Sequence, residues 1–509
     1  MTRPEPHSYL LPADALATLT RPPSGSLKPV LTQAATALPV TVLDDFDQSL
    51  RGSGRLLLET GPAFELLTQD GRVLRQPAKR NGQFVADFCE GPVKQALADL
   101  SPLRCLLPVG SGKLRLGQLV VLDDDEKTHC RAHLRILSET GTESMAIVTP
   151  QGLRGYDESL ARLRRHIEAC GGTSLPGDRL HAALFPELPA YTAKPDIKID
   201  PEDTAFAAAT DIITRFIPVA RANEAGIIAD HDTEFLHDYR IALRKIRSVL
   251  SLFKGVYSEE QIVDLKARFS KLMAQTGRLR DLDVYLLERR RFYEFLPATL
   301  HGGLDRMFAL FTDERKAEKA KLARYLQSKA YQKEISALAE DFDKRTDLRP
   351  GPMAKRGAHD YACSLIWKRY RKIHKIAAML DAETEDAEVH RLRIHCKKLR
   401  YLMEFFAPLF PKAEFKSLLK PLKQLQDNLG LFNDYAVQQV SLQEFIRNRD
   451  FGPKGISLDV AQSVGALTAA LHRQQAEERE KVVENLAQFN SAPMQQTFRE
   501  LFHMRSHQT

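Results

Sequence analysis

Apolar and polar residues follow two different patterns along this chain of 509 residues, and the change lies near residue 200. Between about 40 and 150, short apolar runs such as LPVTVL at 38–43 alternate with Gly, Pro and Asp. Such runs are typical of β-strands joined by tight turns. From about Thr204 onward, proline becomes sparse and apolar residues recur every three or four positions, which predicts helices. The pattern therefore predicts an α+β chain with more than one domain.

These patterns divide the chain into four segments. We expect residues 1–37 to be a flexible N-terminal segment and residues 38–186 to form a smaller, antiparallel, β-rich domain that a helix closes. The segment 187–203 contains three prolines and has no helical period, so we interpret it as a linker. Residues 204–505 are predicted to form an all-α domain.

The helical region contains an internal repeat. HDYRIALRKIR begins at His237 and HRLRIHCKKLR begins at His390, which sets an offset of 153 residues. Residues further along, such as Asp281 and Asp434, keep this offset over nearly 50 residues without slippage. Two unrelated amphipathic helices would not keep register that far, so we infer that a helical unit was duplicated. Repeat one then spans about 204–350, and repeat two spans about 357–505.

Basic residues inside each copy of the motif share one face of a helix. Their steps of three and four residues place them in line, and an apolar stripe lies beside them rather than opposite. We therefore expect these cations to line a groove or a seam between helices. The residues of the first copy are His237, Arg240, Arg244 and Arg247. Those of the second copy are His390, Arg393, Lys397 and Arg400.

Cations stacked on one helix face repel each other by roughly a few tenths of a kcal/mol per neighbouring pair. An anionic ligand would neutralise them, and arginine can donate two parallel hydrogen bonds to a phosphate group. The alternative is internal neutralisation by Asp281, Asp283 and Asp434 on later helices, through buried salt bridges. The two motif histidines either touch the ligand or hold a backbone carbonyl.

The helix WKRYRKIHKIA, which precedes the second copy, carries further cations on one side. A polyanion could use them as a secondary site, or they could form an ordinary solvated face. These secondary candidates are Lys368, Arg371, Lys372 and Lys375.

All of the excess positive charge lies in the helical part. The chain has a formal net charge of +7, yet residues 1–200 hold 23 Lys or Arg against 24 Asp or Glu. The remaining residues hold 50 basic and 42 acidic side chains, so a polyanionic partner is expected to bind there.

Missing patterns disfavour several classes of function. The longest apolar stretches are far shorter than the roughly 18 residues of a membrane helix, so we expect no membrane association. Neither a glycine-rich phosphate loop nor a Cys/His zinc spacing occurs, so we expect no cofactor, no metal and no nucleotide-dependent chemistry. The absence of a signal-peptide pattern and of any CxxC pair among six scattered cysteines favours a cytoplasmic protein.

The paired motifs HDYRIALRKIR and GRLRDLDVYL, with their second copies HRLRIHCKKLR and GLFNDYAVQQ, resemble the CHAD family of conserved-histidine α-helical domains. The resemblance covers about residues 200–505. It implies two pseudo-symmetric four-helix bundles around a basic central pore, and binding of inorganic polyphosphate, often at polyphosphate granules. The binding residues that it implies are His237, Arg240, Arg244, Lys245, Arg247, His390, Arg393, Lys397, Lys398 and Arg400.

CHAD domains often follow a CYTH triphosphatase domain, and residues 40–59 and 119–137 resemble parts of that domain. However, the ExExK strand that would hold the metal does not occur before Leu43, and Leu56, Leu57 and Leu58 stand where the family has alternating arginines. Metal-assisted hydrolysis requires those groups. We interpret this region as a degenerate, non-catalytic CYTH-like domain.

The sequence thus predicts a polyphosphate-binding protein rather than an enzyme, located in the cytoplasm and, through its ligand, at polyphosphate granules. Three alternatives stay open. The N-terminal domain could be a metal-dependent triphosphatase or polyphosphatase, and the basic faces could bind nucleic acid, although 8% aromatic residues and one Trp offer little for base stacking. The helical domain could also be a scaffold whose aspartates neutralise its cations.

Overall fold

The chain divides into two compact units, Met1–Thr192 and Ala193–Thr509. The computed structural model describes residues 8–21, 27–33, 36–68, 71–138, 144–174, 188–381, 384–449 and 457–503. The boundary between the units lies inside the segment that we interpreted as a linker, and residues 188–203 contain neither helix nor strand. Residue 187 lies outside the described residues. No helix of the described residues is both long and apolar enough to cross a membrane.

The first unit is a β-rich domain, as predicted. Its strands are β1 (Tyr9–Pro12), β2 (Lys28–Gln33), β3 (Leu38–Asp44), β4 (Leu56–Thr60), β5 (Ala63–Leu67), β6 (Val73–Pro77), β7 (Leu107–Leu122), β8 (Thr128–Ser138), β9 (Met145–Gly152) and β10 (Thr173–Ser174). They form one antiparallel sheet in the order β10-β1-β9-β8-β7-β3-β4-β5-β6. The long β7 pairs with β3 and also with β2. The helices are α1 (Leu16–Leu19), α2 (Ser49–Gly52), α3 (Pro92–Ala96) and α4 (Asp157–Ala169).

The N-terminal residues differ from the flexible segment that we expected over 1–37. Where they are described, β1 and β2 belong to the sheet, and β1 pairs with β9. Tyr9 is 1% exposed and Leu11 is fully buried, in a cluster that Leu163 and Ile167 of α4 complete. Burial of these side chains offsets the entropy lost when the segment becomes ordered. Residues 1–7, 22–26 and 34–35 lie outside the described part.

Both faces of β4 are packed with apolar side chains. Leu56 and Leu58 join a cluster with Val40 and Val42, whereas Leu57 points into the cluster on the other face. The positions at which the resemblance would place cations are therefore core positions. This face of the sheet is stabilised by burial of hydrocarbon rather than by ligand-binding charges.

The acidic run at 123–126 lies in the turn between β7 and β8. Asp123 accepts hydrogen bonds from the backbone N–H groups of Asp125 and Lys127 and contacts the His129 ring. This carboxylate therefore caps its own turn.

The second unit is helical, as predicted. Repeat one contains α5 (Ala205–Ala229), α6 (Thr233–Leu252), α7 (Glu259–Ala274), α8 (Gly277–Leu287), α9 (Arg289–Glu294), α10 (His301–Gln327) and α11 (Lys329–Lys344). Repeat two contains α12 (Ala358–Ala377), α13 (Asp386–Phe406), α14 (Lys412–Arg447), α15 (Leu458–Phe489) and α16 (Ala492–Phe502). The 36-residue helix α14 takes the place of α7, α8 and α9.

Two reciprocal backbone hydrogen bonds join equivalent positions of the two repeats. The N–H of Ala205 donates to the carbonyl of Arg356, and the N–H of Ala358 donates to the carbonyl of Asp203, both at 2.7 Å. Each pair is the other displaced by 153 residues. Helices α5 and α12 begin beside this exchange, so equivalent helices of the two repeats start from symmetric positions.

The repeats also share one apolar core. Side chains of α8 and α10 pack with those of α14 and α15 in a single buried cluster. The Tyr285 hydroxyl in this region donates to the carbonyl of Gln438 at 3.3 Å, and these two positions again differ by 153. Each repeat completes the core of the other, so we expect neither to fold as an independent bundle.

Gly303 marks the closest approach of α10 to α15. A Cβ atom at this position would overlap the backbone oxygen of Asp459, whereas one at the adjacent Gly302 would meet nothing within 4 Å. We predict that Gly303→Ala lowers the free energy of unfolding by about 1–3 kcal/mol, because the helices must separate. Urea denaturation of the full chain measures the change.

Gly302→Ala is the matched control, since it adds the same methyl group to the same helix. It should leave stability unchanged or raise it by up to about 1 kcal/mol through helix propensity. Equal destabilisation by both variants would contradict the packing role of Gly303.

Candidate functional site

A cavity of about 620 Å³ lies between α6 and α13 in the helical unit. Its walls combine basic side chains with aromatic and aliphatic ones from both repeats and from the segment before α5. The lining residues are Ala193, Lys194, Pro195, Ile197, Phe216, His237, Ile241, Arg244, Lys245, Arg393, Lys397, Arg400, Tyr401, Glu404, Phe405, Gln426 and Gly430.

Two basic ridges reach this cavity because each helix anchors an adjacent apolar stripe in the core. We call His237, Arg240, Arg244 and Arg247 of α6 ridge one, and His390, Arg393, Lys397 and Arg400 of α13 ridge two. The stripes beside them are buried along their whole length. They are Leu236, Tyr239, Leu243, Ile246 and Leu250 on α6, and Val389, Leu392, Cys396, Leu399 and Met403 on α13. Burial of the stripes fixes the rotation of each helix and therefore the direction of its cations.

The cavity brings together six of the ten residues that the sequence singled out. These are His237, Arg244, Lys245, Arg393, Lys397 and Arg400. The other four, Arg240, Arg247, His390 and Lys398, are not among its lining residues.

The ridges converge at Arg244 and Lys397, which are equivalent positions of the two repeats. Burial first, and then the neighbouring Arg244 and Arg393, lower the pKa of the Lys397 ammonium to about 8. The carboxylate of Asp434 opposes this shift and raises the pKa of Lys397. A lysine in this position carries a charge that the protein alone does not fully compensate.

Arg240 of ridge one does not line the cavity and is held by a side chain of the loop before α8. Its Nη1 donates to Thr276 Oγ1 at 2.6 Å, and its Nε is buried with no hydrogen-bond partner in the described residues. Burial lowers the pKa of this guanidinium to about 10, with Arg244 as the next cause and Asp281 opposing. A buried donor without a protein partner costs free energy unless a ligand accepts its hydrogen bond.

The two motif histidines occupy different surroundings. His237 lines the cavity, whereas the Nδ1 of His390 lies 3.0 Å from Oδ1 of Asn433. The partner of His390 is thus a side-chain amide oxygen, whereas the structural alternative named a backbone carbonyl.

A carboxylate that sequence reasoning missed lies on the cavity wall. Glu404 forms an ion pair with Lys245 and another with Arg400, the latter at 2.6 Å, while Arg400 also donates to Gln426. Its position seven residues after Lys397 continues the helical face of ridge two, so helical spacing alone could have included it.

Lys194 and Tyr401 were also missed. Lys194 lies in the segment that we interpreted as a linker, and no helical spacing connects it to the motifs. Tyr401 was hidden within the apolar half of the helix, yet the Nζ atoms of Lys245 and Lys397 lie 4.8 Å and 5.8 Å from its ring centre. Both cations are therefore held over an aromatic face.

The aspartates neutralise the ridges only in part. Asp283 pairs with Arg315 at 2.6 Å, and Arg315 also holds Asp230, so its partner is not a ridge cation. Burial raises the pKa values of Asp281 and Asp434, while Arg240 opposes the shift at the first and Arg393 at the second. These two aspartates are equivalent by the 153-residue offset, and each interacts with a cation of the ridge in its own repeat.

Lys398 belongs to a different surface. Its pKa is lowered by burial first and then by Arg369, Lys254 and Lys372, none of which lines the cavity between α6 and α13. The secondary candidates Lys368, Arg371, Lys372 and Lys375 line a separate cavity.

The arrangement suits binding of a ligand with several negative charges. Six Lys or Arg side chains and the single carboxylate of Glu404 line the cavity among the described residues. Arginine forks can bind phosphate oxygens in pairs, and lysines add movable point charges. No group of three or more His, Cys, Asp or Glu side chains in the described part is arranged to hold a metal ion.

The helical unit is similar to known proteins. The CHAD domain family model matches residues 211–443. A crystal structure of the CHAD domain from the plant Ricinus communis is 25% identical, covers 58% of this chain and 95% of its own, and has a TM-score of 0.47. PptA from Streptomyces chartreusis is 14% identical, covers 56% of this chain and 98% of its own, with a TM-score of 0.42. No curated protein matches the chain.

The depressed pKa of Lys397 has a consequence for stability. Its folded value of about 8 lies below its ordinary value of 10.5, so its charge destabilises the fold below pH 8, and the penalty declines as the pH rises towards 10.5. We predict that Lys397→Met raises the free energy of unfolding at pH 7 by about 1–3 kcal/mol. The gain should shrink by pH 9.5, as measured by urea denaturation at both pH values.

Lys316→Met is the control, because Lys316 is 71% exposed on the same helical unit. It should change stability by less than about 0.5 kcal/mol at either pH. A Lys397→Met variant that is less stable than the parent at pH 7 would contradict the uncompensated charge.

Proposed function

Residues 211–443 of this chain are a CHAD domain, and from this we propose that the domain binds inorganic polyphosphate in the cavity between α6 and α13. The binding residues are the predicted set that lines the cavity, His237, Arg244, Lys245, Arg393, Lys397 and Arg400. Arg240 and Arg247 extend ridge one beyond the cavity lining, and His390 extends ridge two.

The convergence of Arg244 and Lys397 is the observation that carries this proposal. Equivalent cations of the two repeats face each other, and the pKa of Lys397 is about 8 because of burial and its basic neighbours. A fold that gains nothing from this arrangement would be more stable with apolar side chains there. A chain of phosphates offsets the repulsion between the cations, because it places negative charge between the ridges.

Polyphosphate suits the cavity better than a single small anion. Its charge repeats along a flexible chain, and the cations reach the cavity from both helices and from Lys194. The aromatic surface of Tyr401 holds Lys245 and Lys397 in place without cancelling their charge. Since such binding releases counterions, affinity should fall steeply with salt.

Binding without hydrolysis is the form of the function that we favour. In the β-rich unit, Leu56 and Leu58 fill an apolar cluster at positions where a triphosphatase would need charged groups. The competing enzyme hypothesis requires phosphate release from tripolyphosphate or polyphosphate with magnesium or manganese, and we expect none above background.

Nucleic acid and pure scaffolding are the other competitors. RNA or DNA that displaced polyphosphate at equal phosphate concentration would favour the first. The scaffold hypothesis requires internal neutralisation, yet Asp283 is engaged by Arg315 rather than by either ridge. We place the protein in the cytoplasm, at polyphosphate granules where these are present.

Removal of ridge cations tests the site. We predict that the full chain with Arg240, Arg244, Arg393 and Lys397 all changed to Ala binds long-chain polyphosphate at least a hundredfold more weakly, because each charged hydrogen bond contributes about 1.5–3 kcal/mol. The slope of log affinity against log salt should decrease by about 0.7 for each phosphate group that the variant no longer neutralises. Calorimetric titration over a series of salt concentrations measures both.

The matched control removes the same charge from exposed positions elsewhere on the helical unit. Its residues, Arg290, Arg306, Arg349 and Lys316, are 64–93% exposed. This variant should bind almost as the parent does. If both variants lost affinity equally, net charge rather than the cavity would account for binding, and the proposed site would be wrong.

Lys397 should also take up a proton when the polymer binds. Its pKa of about 8 leaves it partly neutral at pH 8, and adjacent phosphates favour its charged form. We predict proton uptake at pH 8, measured by calorimetry in buffers of different ionisation enthalpy, and weaker binding as the pH rises above 8. Lys397→Arg, which stays charged, should bind without this uptake. An unchanged uptake in that variant would exclude Lys397 as its source.

A further inference from the structure

A second cavity, of about 540 Å³, lies where α12 packs against the C-terminal helix α16. None of its lining residues belongs to the cavity between α6 and α13. They are Ser364, Trp367, Lys368, Arg371, Lys372, Lys375, Phe502 and His503. Trp367 is the only tryptophan of the whole sequence.

Within the described part of the chain, the cations of this cavity have no internal counter-charge. Lys368, Arg371, Lys372 and Lys375 are exposed, and the described residues place no carboxylate within ion-pair distance of any of them. They occupy one face of α12, and the rise of a helix places the first and last about 10 Å apart. That length suits a short chain of phosphates, and Arg371 can bind phosphate oxygens in pairs.

An aromatic corner adjoins these cations. The ring of His503 stands edge-on to Trp367, with 5.2 Å between ring centres and an angle of 75° between the planes. Phe502 is buried below them, whereas Trp367 stays partly accessible. A flat ring could stack on the indole face while the groups attached to it reach the cations.

The other repeat shows that the fold does not require this set. A cavity of about 480 Å³ lies at the corresponding place, between α5 and α11. Thr214 and Pro218 stand there at the positions equivalent to Trp367 and Arg371. Its lining carries Glu340 and Asp343 against Arg221 as the one cation there, so among the described residues this groove offers an anion no net positive charge. The first and last helices of a repeat therefore pack without tryptophan or clustered cations.

We propose that the cavity between α12 and α16 binds a nucleoside triphosphate. The base stacks on Trp367 beside His503, and the phosphates lie along Lys368, Arg371, Lys372 and Lys375. Side chains hold the phosphates here, in place of the backbone of a glycine-rich loop. The proposal concerns binding and includes no bond cleavage, and it does not depend on polyphosphate binding in the other cavity.

The single tryptophan allows a direct test on the full chain. Fluorescence excited at about 295 nm reports on Trp367 alone, because tyrosine absorbs little at that wavelength. We expect adenosine triphosphate to change the emission saturably, and tripolyphosphate and adenosine each to bind at least tenfold more weakly, since each supplies only half of the interactions.

Variants of the cations test the phosphate-binding part of the site separately from the tryptophan. Arg371→Ala and Lys375→Ala should each weaken nucleotide binding by about tenfold. The exposed control variants Lys316→Ala and Arg349→Ala should not. The Ala variant of Arg240, Arg244, Arg393 and Lys397 should bind the nucleotide as the parent does, which distinguishes this site from the polyphosphate site.

Two results would overturn the proposal. Unchanged Trp367 emission at millimolar nucleotide would show that no base stacks there. Tripolyphosphate binding as tightly as the nucleotide would show an anion site without a ring-binding part. Calorimetry of Trp367→Ala provides a check that does not use fluorescence, and we expect a loss of at least fivefold.

Discussion

Like charges that face each other across a partly buried cavity are the constraint around which the helical unit is built. Arg244 and Lys397 would move apart if their helices could rotate, but each helix is fixed by a fully buried apolar stripe. Hydrophobic burial thus holds the cations in an arrangement that electrostatics alone would disfavour. The carboxylate of Glu404 reduces the repulsion at one end, where it pairs with Lys245 and Arg400.

Duplication of the helical unit produced the two converging basic helix faces, and later sequence differences between the repeats changed their surroundings. The paired hydrogen bonds of Ala205 and Ala358 set equivalent helices at symmetric positions, so one basic helix face per repeat becomes two opposed faces. The two repeats are no longer equivalent at several positions where their side chains differ in chemistry. Glu404 has Ser251 as its counterpart in repeat one, and Trp367 has Thr214. A shared core ties the repeats together, which leaves surface grooves free to change separately.

The β-rich unit is organised around apolar packing rather than around opposed charges. Its sheet is covered by apolar clusters on both faces, and β4 contributes leucines to each of them. The N-terminal strand β1 is part of this packing rather than an appendage, because Tyr9 and Leu11 are buried under α4. Such a sheet is a stable support, and the ion pair between Arg55 and Asp99 joins the residue before β4 to the turn that follows α3.

The sequence alone determined the two-unit architecture, the duplicated motif and the helix faces that carry the cations. Both signals, hydrophobic periodicity and the constant offset between the motifs, can be read from the order of residues without knowledge of tertiary contacts. It did not show that β1 belongs to the sheet, because β1 contributes only four residues and its partner β9 lies more than a hundred residues away. Nor did it show that Lys194 and Glu404 share the cavity with both ridges, or that Asp283 pairs with Arg315. Those facts depend on which distant segments approach each other, and burial of the apolar stripes decides that only when the whole chain packs.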